Sequence, residues 1–218
     1  MRMGTFYRYN LLKRIGILNS FMKKEKVLDI GGFDGFTLSK LKALKRVLID
    51  PDAKKYFLNI EYLKKDFFNY NFKNQKFDLI LSLDVLEHIP KEKEVEYFSR
   101  IYSLLEKRGI AFITTPSKDI KTFPNFLRGF IGKKWGHYKC LGYTKEELDI
   151  LIKNSGLENY KIYSYHSRYY LNTYLLIRFL QIFLPKLILE KILIKIANKD
   201  AKLDEGISRG YYLIKVVK

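Results

Sequence analysis

The sequence predicts an α/β domain built on a parallel sheet, and three features predict it. Short, nearly unbroken apolar runs, VLDI (27–30), RVLID (46–50), FDLILSL (77–83) and GIAFITT (109–115), alternate with segments of helical spacing. A strand buried on both faces reads as a continuous apolar run, which is the mark of a parallel sheet covered by helices. The first run closes in a glycine-rich turn, Asp29-Ile30-Gly31-Gly32-Phe33-Asp34-Gly35. Acids also stand at the carboxyl ends of the first three strands, where an open parallel sheet binds its ligands.

The elements follow in order. Residues 6–22 put Tyr7, Leu11, Leu18 and Met22 at helical spacing with bases between them, which predicts an amphipathic helix within an N-terminal segment 1–25. VLDI is the first strand, FTLSKLKALK (36–45) a helix, and RVLID the second strand, stopped by Pro51. Only one or two helical turns fit before IEYLKKD (60–66), the third strand; FDLILSL is the fourth. Pro90 suits the first turn of a helix that runs to about Lys107 with Val95, Phe98, Ile101, Tyr102 and Leu105 on one face; GIAFITT follows as a buried strand. Residues 116–142 read as a loop-rich lid. Thr144 and Glu147 form a capping box for a helix that Gly156 closes. LENYKIYSY (157–165) and GYYLIKVV (210–217) are strands, with an apolar helical insertion, 166–209, between them. Without a repeat or a low-complexity linker, residues 1–218 read as a single domain.

Composition narrows the function classes. At 47% hydrophobic residues the chain can bury a full core, which argues against disorder. Forty-one Lys and Arg against 23 Asp and Glu give a formal charge of +18, which favours anionic partners without choosing among nucleic acid, acidic membrane and acidic acceptor. A single cysteine, Cys140, excludes an internal disulfide and a multi-cysteine zinc site. Residues 1–22 carry Arg2, Arg8, Lys13 and Arg14 without an export-type apolar stretch. The most apolar region, 171–196, is broken by Arg178, Pro185, Lys186, Glu190, Lys191 and Lys195. The expectation is a cytoplasmic protein with no spanning helix.

The glycine turn admits two nucleotide-type readings. A dinucleotide fingerprint needs glycines at positions one, three and six, but from Gly31 those positions hold Gly31, Phe33 and Phe36. The surviving pattern is acid-x-Gly-x-x-x-Gly, with Asp29, Gly31 and Gly35 and with Gly32 inside the turn. Glycines let a ligand lie against the backbone, and an acid before the turn suits a cationic ammonium head rather than a pyrophosphate. Asp50, twenty-one residues after Asp29, can accept both hydroxyls of a ribose. Asp66, followed by Phe67, can receive an adenine amino group beside a stacked ring.

In that order, VLDIGGFDG, VLIDPD, KKDFF, FDLILSLDVLEHIP and GIAFITTP resemble the class I S-adenosylmethionine-dependent methyltransferases, and most of all the large subgroup containing the ubiquinone-pathway O-methyltransferases. The resemblance spans about 26–165 and returns in the final strand. It implies a Rossmann-like, seven-stranded, mostly parallel sheet with an antiparallel last strand. It implies S-adenosyl-L-methionine as cofactor, with Asp29, Gly31 and Gly35 around the methionine part, Asp50 on the ribose, Asp66 near adenine and Leu83 on the sulfonium side. The middle glycine of the usual loop is Phe33 here, and the helix after Asp50 is trimmed.

Asp84, Glu87 and His88 share one face of a helical turn and can converge on a divalent metal ion, with His137 as a later nitrogen. This pattern resembles a metal site in some ubiquinone-pathway enzymes and in small-RNA 3′-terminal 2′-O-methyltransferases. The same residues can instead order the loop or shape the acceptor pocket. His137 and His88 are the candidates for an acceptor-side base. The lid carries six bases, Lys118, Lys121, Arg128, Lys133, Lys134 and Lys139, against Asp119 alone. Those cations, with Trp135, can hold phosphate or carboxylate, or lie solvated. The stretch 171–199 either packs on the domain or a second subunit, or makes a peripheral membrane contact with its bases toward acidic headgroups.

Three functions fit: methyl transfer to oxygen of a small-molecule, saccharide or lipid-linked acceptor; metal-assisted RNA 2′-O-methylation; and a non-catalytic cofactor-binding or membrane adaptor. Intact acids at 29, 50 and 66 argue against the last.

Overall fold

A computed structural model describes residues 3–18, 24–120, 125–134, 136–139, 141–165, 168–204 and 210–218. The strands are β1 (Lys24–Ile30), β2 (Ala43–Ile49), β3 (Glu61–Leu63), β4 (Phe77–Leu83), β5 (Leu105–Pro116), β6 (Tyr160–Tyr165), β7 (Leu203–Asp204) and β8 (Tyr211–Val217). They form one sheet in the order β3-β2-β1-β4-β5-β8-β6-β7. The pairs among β1 to β5 are parallel, and β8 runs antiparallel to both β5 and β6. The expected seven strands are therefore present with the last one reversed. The eighth, β7, is a two-residue edge strand paired with Ser164 and Tyr165.

The helices are α1 (Met3–Arg14), α2 (Phe36–Ser39), α3 (Glu94–Leu104), α4 (Asn125–Lys134), α5 (Lys145–Asn154), α6 (Arg168–Phe183) and α7 (Lys186–Asp200). Both sheet faces are covered, which is why the strands read as unbroken apolar runs. Leu28, Ile30 and Ile80 pack with Phe98, Ile101 and Leu148 on one face. Val27, Leu79 and Leu81 pack with Leu11, Leu193 and Ala197 on the other.

Several boundaries differ from the sequence expectation, each for a physical reason. The helix expected over 36–45 is a single turn, because Lys24 and Lys26 draw Ala43 and Lys45 into the β1–β2 ladder. Arg46 reinforces the break: its Nε and Nη2 donate to the Leu41 carbonyl at 3.0 and 2.7 Å. No helix forms over 51–60; Tyr62 Oη instead accepts from the Tyr56 and Phe57 amides at 3.3 and 3.2 Å. In α3 the buried face is Tyr97, Phe98, Ile101 and Leu104, while Val95 is exposed. The lid is not only loop, since α4 lies inside it. The capping box forms as expected: Thr144 Oγ1 accepts from the Glu147 amide at 3.1 Å and Glu147 Oε2 from the Thr144 amide at 2.8 Å.

The insertion is a helical hairpin, α6–α7, and part of it packs on the domain. With α2 cut to one turn, α1 and α7 cover much of that sheet face, and Ile177, Leu193 and Ala197 are buried there. At the base of the hairpin, Asp200 is 1% exposed. It accepts from the Tyr169 and Tyr170 amides at the start of α6, at 2.9 and 3.0 Å, and from Tyr7 Oη of α1 at 2.8 Å. Among the described residues no helix is long and apolar enough to cross a membrane. Met22, Lys121, Trp135 and Cys140, and the side chains of Arg128 and Arg178, lie outside the described residues.

Candidate active site

The strand order reverses at β1, which has β2 on one side and β4 on the other. Its carboxyl end therefore opens into the crevice where open α/β sheets take their ligands. Gly31 and Gly35 have φ values of 71° and 70°, and their backbone is crowded. A Cβ on Gly31 would sit 2.5 Å from Val85 Cγ2, one on Gly32 2.4 Å from Asp29 Oδ2, and one on Gly35 2.7 Å from Tyr62 Oη. Phe33, in place of the middle glycine, adopts φ 47° itself. Its amide donates to Asp50 Oδ2 at 3.1 Å, its carbonyl accepts from the Lys54 amide at 2.9 Å, and Lys54 Nζ lies 5.5 Å from its ring centroid. The unusual residue is thus anchored to the end of β2 rather than left over the crevice.

Asp29 is 3% exposed beneath this loop. Burial first, then the charges of Asp50 and Asp34, push its carboxyl up to about 8, with Arg8 opposing them. Arg8, the positive charge that opposes them, is ion-paired with Asp84, and a cationic ammonium would add a counter-charge for Asp29. Asp34 is also buried and accepts from the Phe36 amide at 3.0 Å. Asp50 Oδ1 accepts from the Asp52 amide at 2.7 Å. Each carboxylate oxygen can accept more than one hydrogen bond, so these amide contacts do not by themselves bar ribose hydroxyls from Asp50. Asp50→Ala should weaken S-adenosylhomocysteine binding roughly tenfold to a hundredfold, the worth of hydrogen bonds to a charged group. Titration calorimetry checks this, with circular dichroism to verify that the fold is kept.

Asp66 is exposed, and its Oδ1 accepts from the Phe68 and Asn69 amides at 3.0 and 3.1 Å. The ring of Phe67 lies in the core. It is 6% exposed, edge-on to Tyr97 at 5.8 Å between ring centroids, with the Arg100 guanidinium over its ring. The sequence leaves no means of telling a rim aromatic from a core one. Leu83 is buried at the end of β4, and its carbonyl accepts from Arg8 Nη1 at 3.2 Å.

The metal-type set also forms differently from the sequence expectation. Asp84 is held by an ion pair with Arg8 of α1, and its Oδ1 accepts from Thr114 Oγ1 at 2.7 Å. The groups that converge are Glu87, His88 and His137, whose ligand atoms all lie within 4.8 Å of one another. The lid brings His137 there: the Tyr138 and Lys139 amides donate to the Glu87 carbonyl at 2.9 and 3.2 Å, and His88 Nδ1 lies 3.2 Å from the Gly136 carbonyl oxygen. The two imidazoles meet edge to face at 4.5 Å between centroids. Burial, then the neighbouring His88, lowers His137 to about 4, with Asp84 opposing. Glu87 is 2% exposed and lies well above the usual carboxylate range, because of burial and then the charge of Asp84. Among the lid cations, Lys118, Lys133 and Lys134 are exposed, whereas Lys139 pairs with Glu147 at 3.1 Å. Sequence reasoning missed Arg8, Asp34 and Thr114; only distance in the folded chain identifies them.

A family model described as a methyltransferase domain matches residues 5–174. The chain belongs to that family. Membership upholds the resemblance to class I S-adenosylmethionine-dependent methyltransferases. The methyltransferase is 28% identical over 132 residues to the ubiquinone biosynthesis O-methyltransferase of Pelagibacter ubique (strain HTCC1062), covering 54% of each chain. It is 26% identical over 151 residues to the mitochondrial ubiquinone biosynthesis O-methyltransferase of Dictyostelium discoideum, covering 67% of this chain and 45% of the relative. It thus spans about half the length of these curated relatives. Among solved structures, a SAM-dependent methyltransferase from Archaeoglobus fulgidus matches at TM-score 0.63 and 17% identity, covering 97% of this chain and 93% of the other. A Haemonchus contortus phosphoethanolamine N-methyltransferase 2 in complex with S-adenosyl-L-methionine also matches at 0.63 and 17%, covering 100% of this chain and 57% of the other. These last two likenesses concern the fold.

Proposed function

We propose that this methyltransferase transfers a methyl group from S-adenosylmethionine to an oxygen of a small-molecule, saccharide or lipid-linked acceptor. The observation that carries the cofactor half is Asp29, buried under the glycine loop between Asp34 and Asp50 with its carboxyl pushed up to about 8. The donor set fits the cofactor's chemistry: a carboxylate for the ammonium, a second at the end of β2 for the ribose, and a glycine backbone that tolerates no Cβ. When bound, the cofactor supplies a methyl group on a sulfonium, already a good leaving group. The chain's part is to hold, orient and exclude water, which contributes much of the acceleration in such reactions. Asp29, Gly31, Gly32, Gly35 and Asp50 carry the binding in this reading, with Asp66 toward adenine and Leu83 toward the sulfonium. Phe67 acts from the core behind them.

Likeness to the O-methyltransferases supports oxygen as the acceptor atom. On that side, His137 is the base we assign. Its lowered pKa keeps the ring unprotonated across the neutral range, while also making it a weaker base than a free imidazole. His88 packs against it and sets its orientation.

A second reading, metal-assisted transfer including RNA 2′-O-methylation, is favoured by the convergence of Glu87, His88 and His137. One carboxylate and two imidazoles suit a divalent cation, which would draw an acceptor oxygen toward the reaction. Labelled-methyl transfer to fractionated small-molecule, lipid and RNA extracts, with and without chelator, separates the readings. The first expects chelator-resistant transfer that His137→Ala lowers about a hundredfold or more, with S-adenosylhomocysteine affinity unchanged. Transfer to RNA alone, abolished by chelator, would replace it with the second.

A further inference from the structure

The helical hairpin leaves an apolar surface that neither the core nor the crevice uses. Its base is fastened by Asp200, and Ile177, Leu193 and Ala197 are buried on the domain. Toward the turn at Pro185 burial stops. Leu176, Phe179, Ile182 and Phe183 on α6 are 56, 58, 75 and 66% exposed, and Leu187 and Ile188 on α7 are 65 and 45% exposed. Phe179 and Phe183 pack on each other, 5.1 Å between ring centroids, without covering either. These residues belong to both helices around one turn, so they form a convex tip. The tip stands a helix length from the base, about 24 Å for the sixteen residues of α6 at 1.5 Å each.

Charge indicates what covers the tip. Residues 168–199 contain six bases and one acid, Glu190, which is taken up by Lys186 at 3.8 Å. Lys191, Lys195 and Lys199 are exposed and share the outward side of α7 with Leu187, Ile188 and Ile194. Lysine is depleted from the cores of protein–protein interfaces, so lysines set among the apolar residues argue against a second copy. Against a bilayer the same mixture is complementary: apolar side chains enter the acyl boundary while lysine stems reach back to anionic headgroups. The formal charge of +18 adds attraction to an acidic leaflet.

We propose that the α6–α7 hairpin is a membrane-docking element that inserts its tip, Phe179, Ile182, Phe183, Leu187 and Ile188, into an anionic phospholipid bilayer, with Lys191 and Lys195 on the headgroups. The contact is peripheral and reversible, and it stands whatever the methyl acceptor is.

The test is co-sedimentation of the full chain with vesicles of phosphatidylcholine containing 30 mol% phosphatidylglycerol, compared with phosphatidylcholine alone. Binding should be confined to the anionic vesicles and fall steeply with salt. Phe179→Ser combined with Phe183→Ser and Leu187→Ser should lower the vesicle partition coefficient at least tenfold. Lys191→Glu with Lys195→Glu should lower it about fivefold per lysine replaced. All of these residues are exposed, so the variants should keep the circular dichroism spectrum and S-adenosylhomocysteine affinity of the parent. Equal binding to neutral and anionic vesicles, or unchanged binding by the triple-serine variant, would overturn the proposal. So would the lack of binding to either vesicle; a chain dimeric in gel filtration and made monomeric by the serines would then assign the tip to a second copy.

Discussion

Asp29→Asn is expected to stabilise the ligand-free protein at pH 8 while lowering its affinity for S-adenosylhomocysteine at least a hundredfold. Asp29 is 3% exposed and its carboxyl is pushed up to about 8, against an unfolded value of about 3.9. Between those values the folded protein holds a proton that the unfolded chain has lost. Linkage then makes stability full below about pH 4 and has it fall as pH rises toward 8, by at most about 6 kcal/mol. Asparagine has the same shape and no charge to bury, so that part of the slope should vanish. The ligand's ammonium needs the ionised form, so wild-type affinity should rise with pH up to about 8 and the variant's should not. Urea unfolding at pH 5, 6, 7 and 8, with and without S-adenosylhomocysteine, measures both. Parallel slopes in wild type and variant would show that Asp29 is not the buried proton carrier.

The second large effect lies away from the crevice. Asp200→Ala removes one buried carboxylate and strands three donors: the Tyr169 and Tyr170 amides and Tyr7 Oη. An unsatisfied buried donor such as Tyr7 Oη costs about 1–3 kcal/mol, and the two part-buried amides cost less, so the loss should reach roughly 2–4 kcal/mol. The same carboxylate fastens α1 to the base of the hairpin, and α1 carries the Arg8 that holds Asp84. The variant should therefore show early proteolytic cleavage in α6–α7 and weaker S-adenosylhomocysteine binding. Asp200→Asn, which keeps an acceptor oxygen, should recover part of the stability. A Tm within 2 °C of the parent for the alanine variant would deny Asp200 this role.

The sheet was legible because its strands are buried on both faces and their apolar runs stand out against turn residues. The capping box at Thr144 and Glu147 was legible for a local reason, since both partners lie within one helical turn. Two failures came from long-range pairing. Ala43 and Lys45 have helical neighbours, yet the β1 ladder takes them. Phe67 follows an exposed acid, yet its ring turns into the core. Asp29, Gly31, Gly35 and Asp50 do lie at the ends of β1 and β2, where the apolar runs locate them. Spacing alone grouped Asp84 with Glu87 and His88, because it cannot see Arg8 arriving from α1 seventy-six residues away in sequence, or the lid carrying His137 to Glu87.

The carboxylates at the ends of β1 and β2 are proposed to bind a nucleoside–amino-acid conjugate with a cationic head. Titration calorimetry of the full chain with S-adenosylhomocysteine, repeated with NAD, tests it most directly. Saturable micromolar binding of S-adenosylhomocysteine, weakened by Asp29→Asn and by Asp50→Ala, is expected, with no heat from NAD. No binding of S-adenosylhomocysteine below millimolar, or binding indifferent to both substitutions, would contradict it.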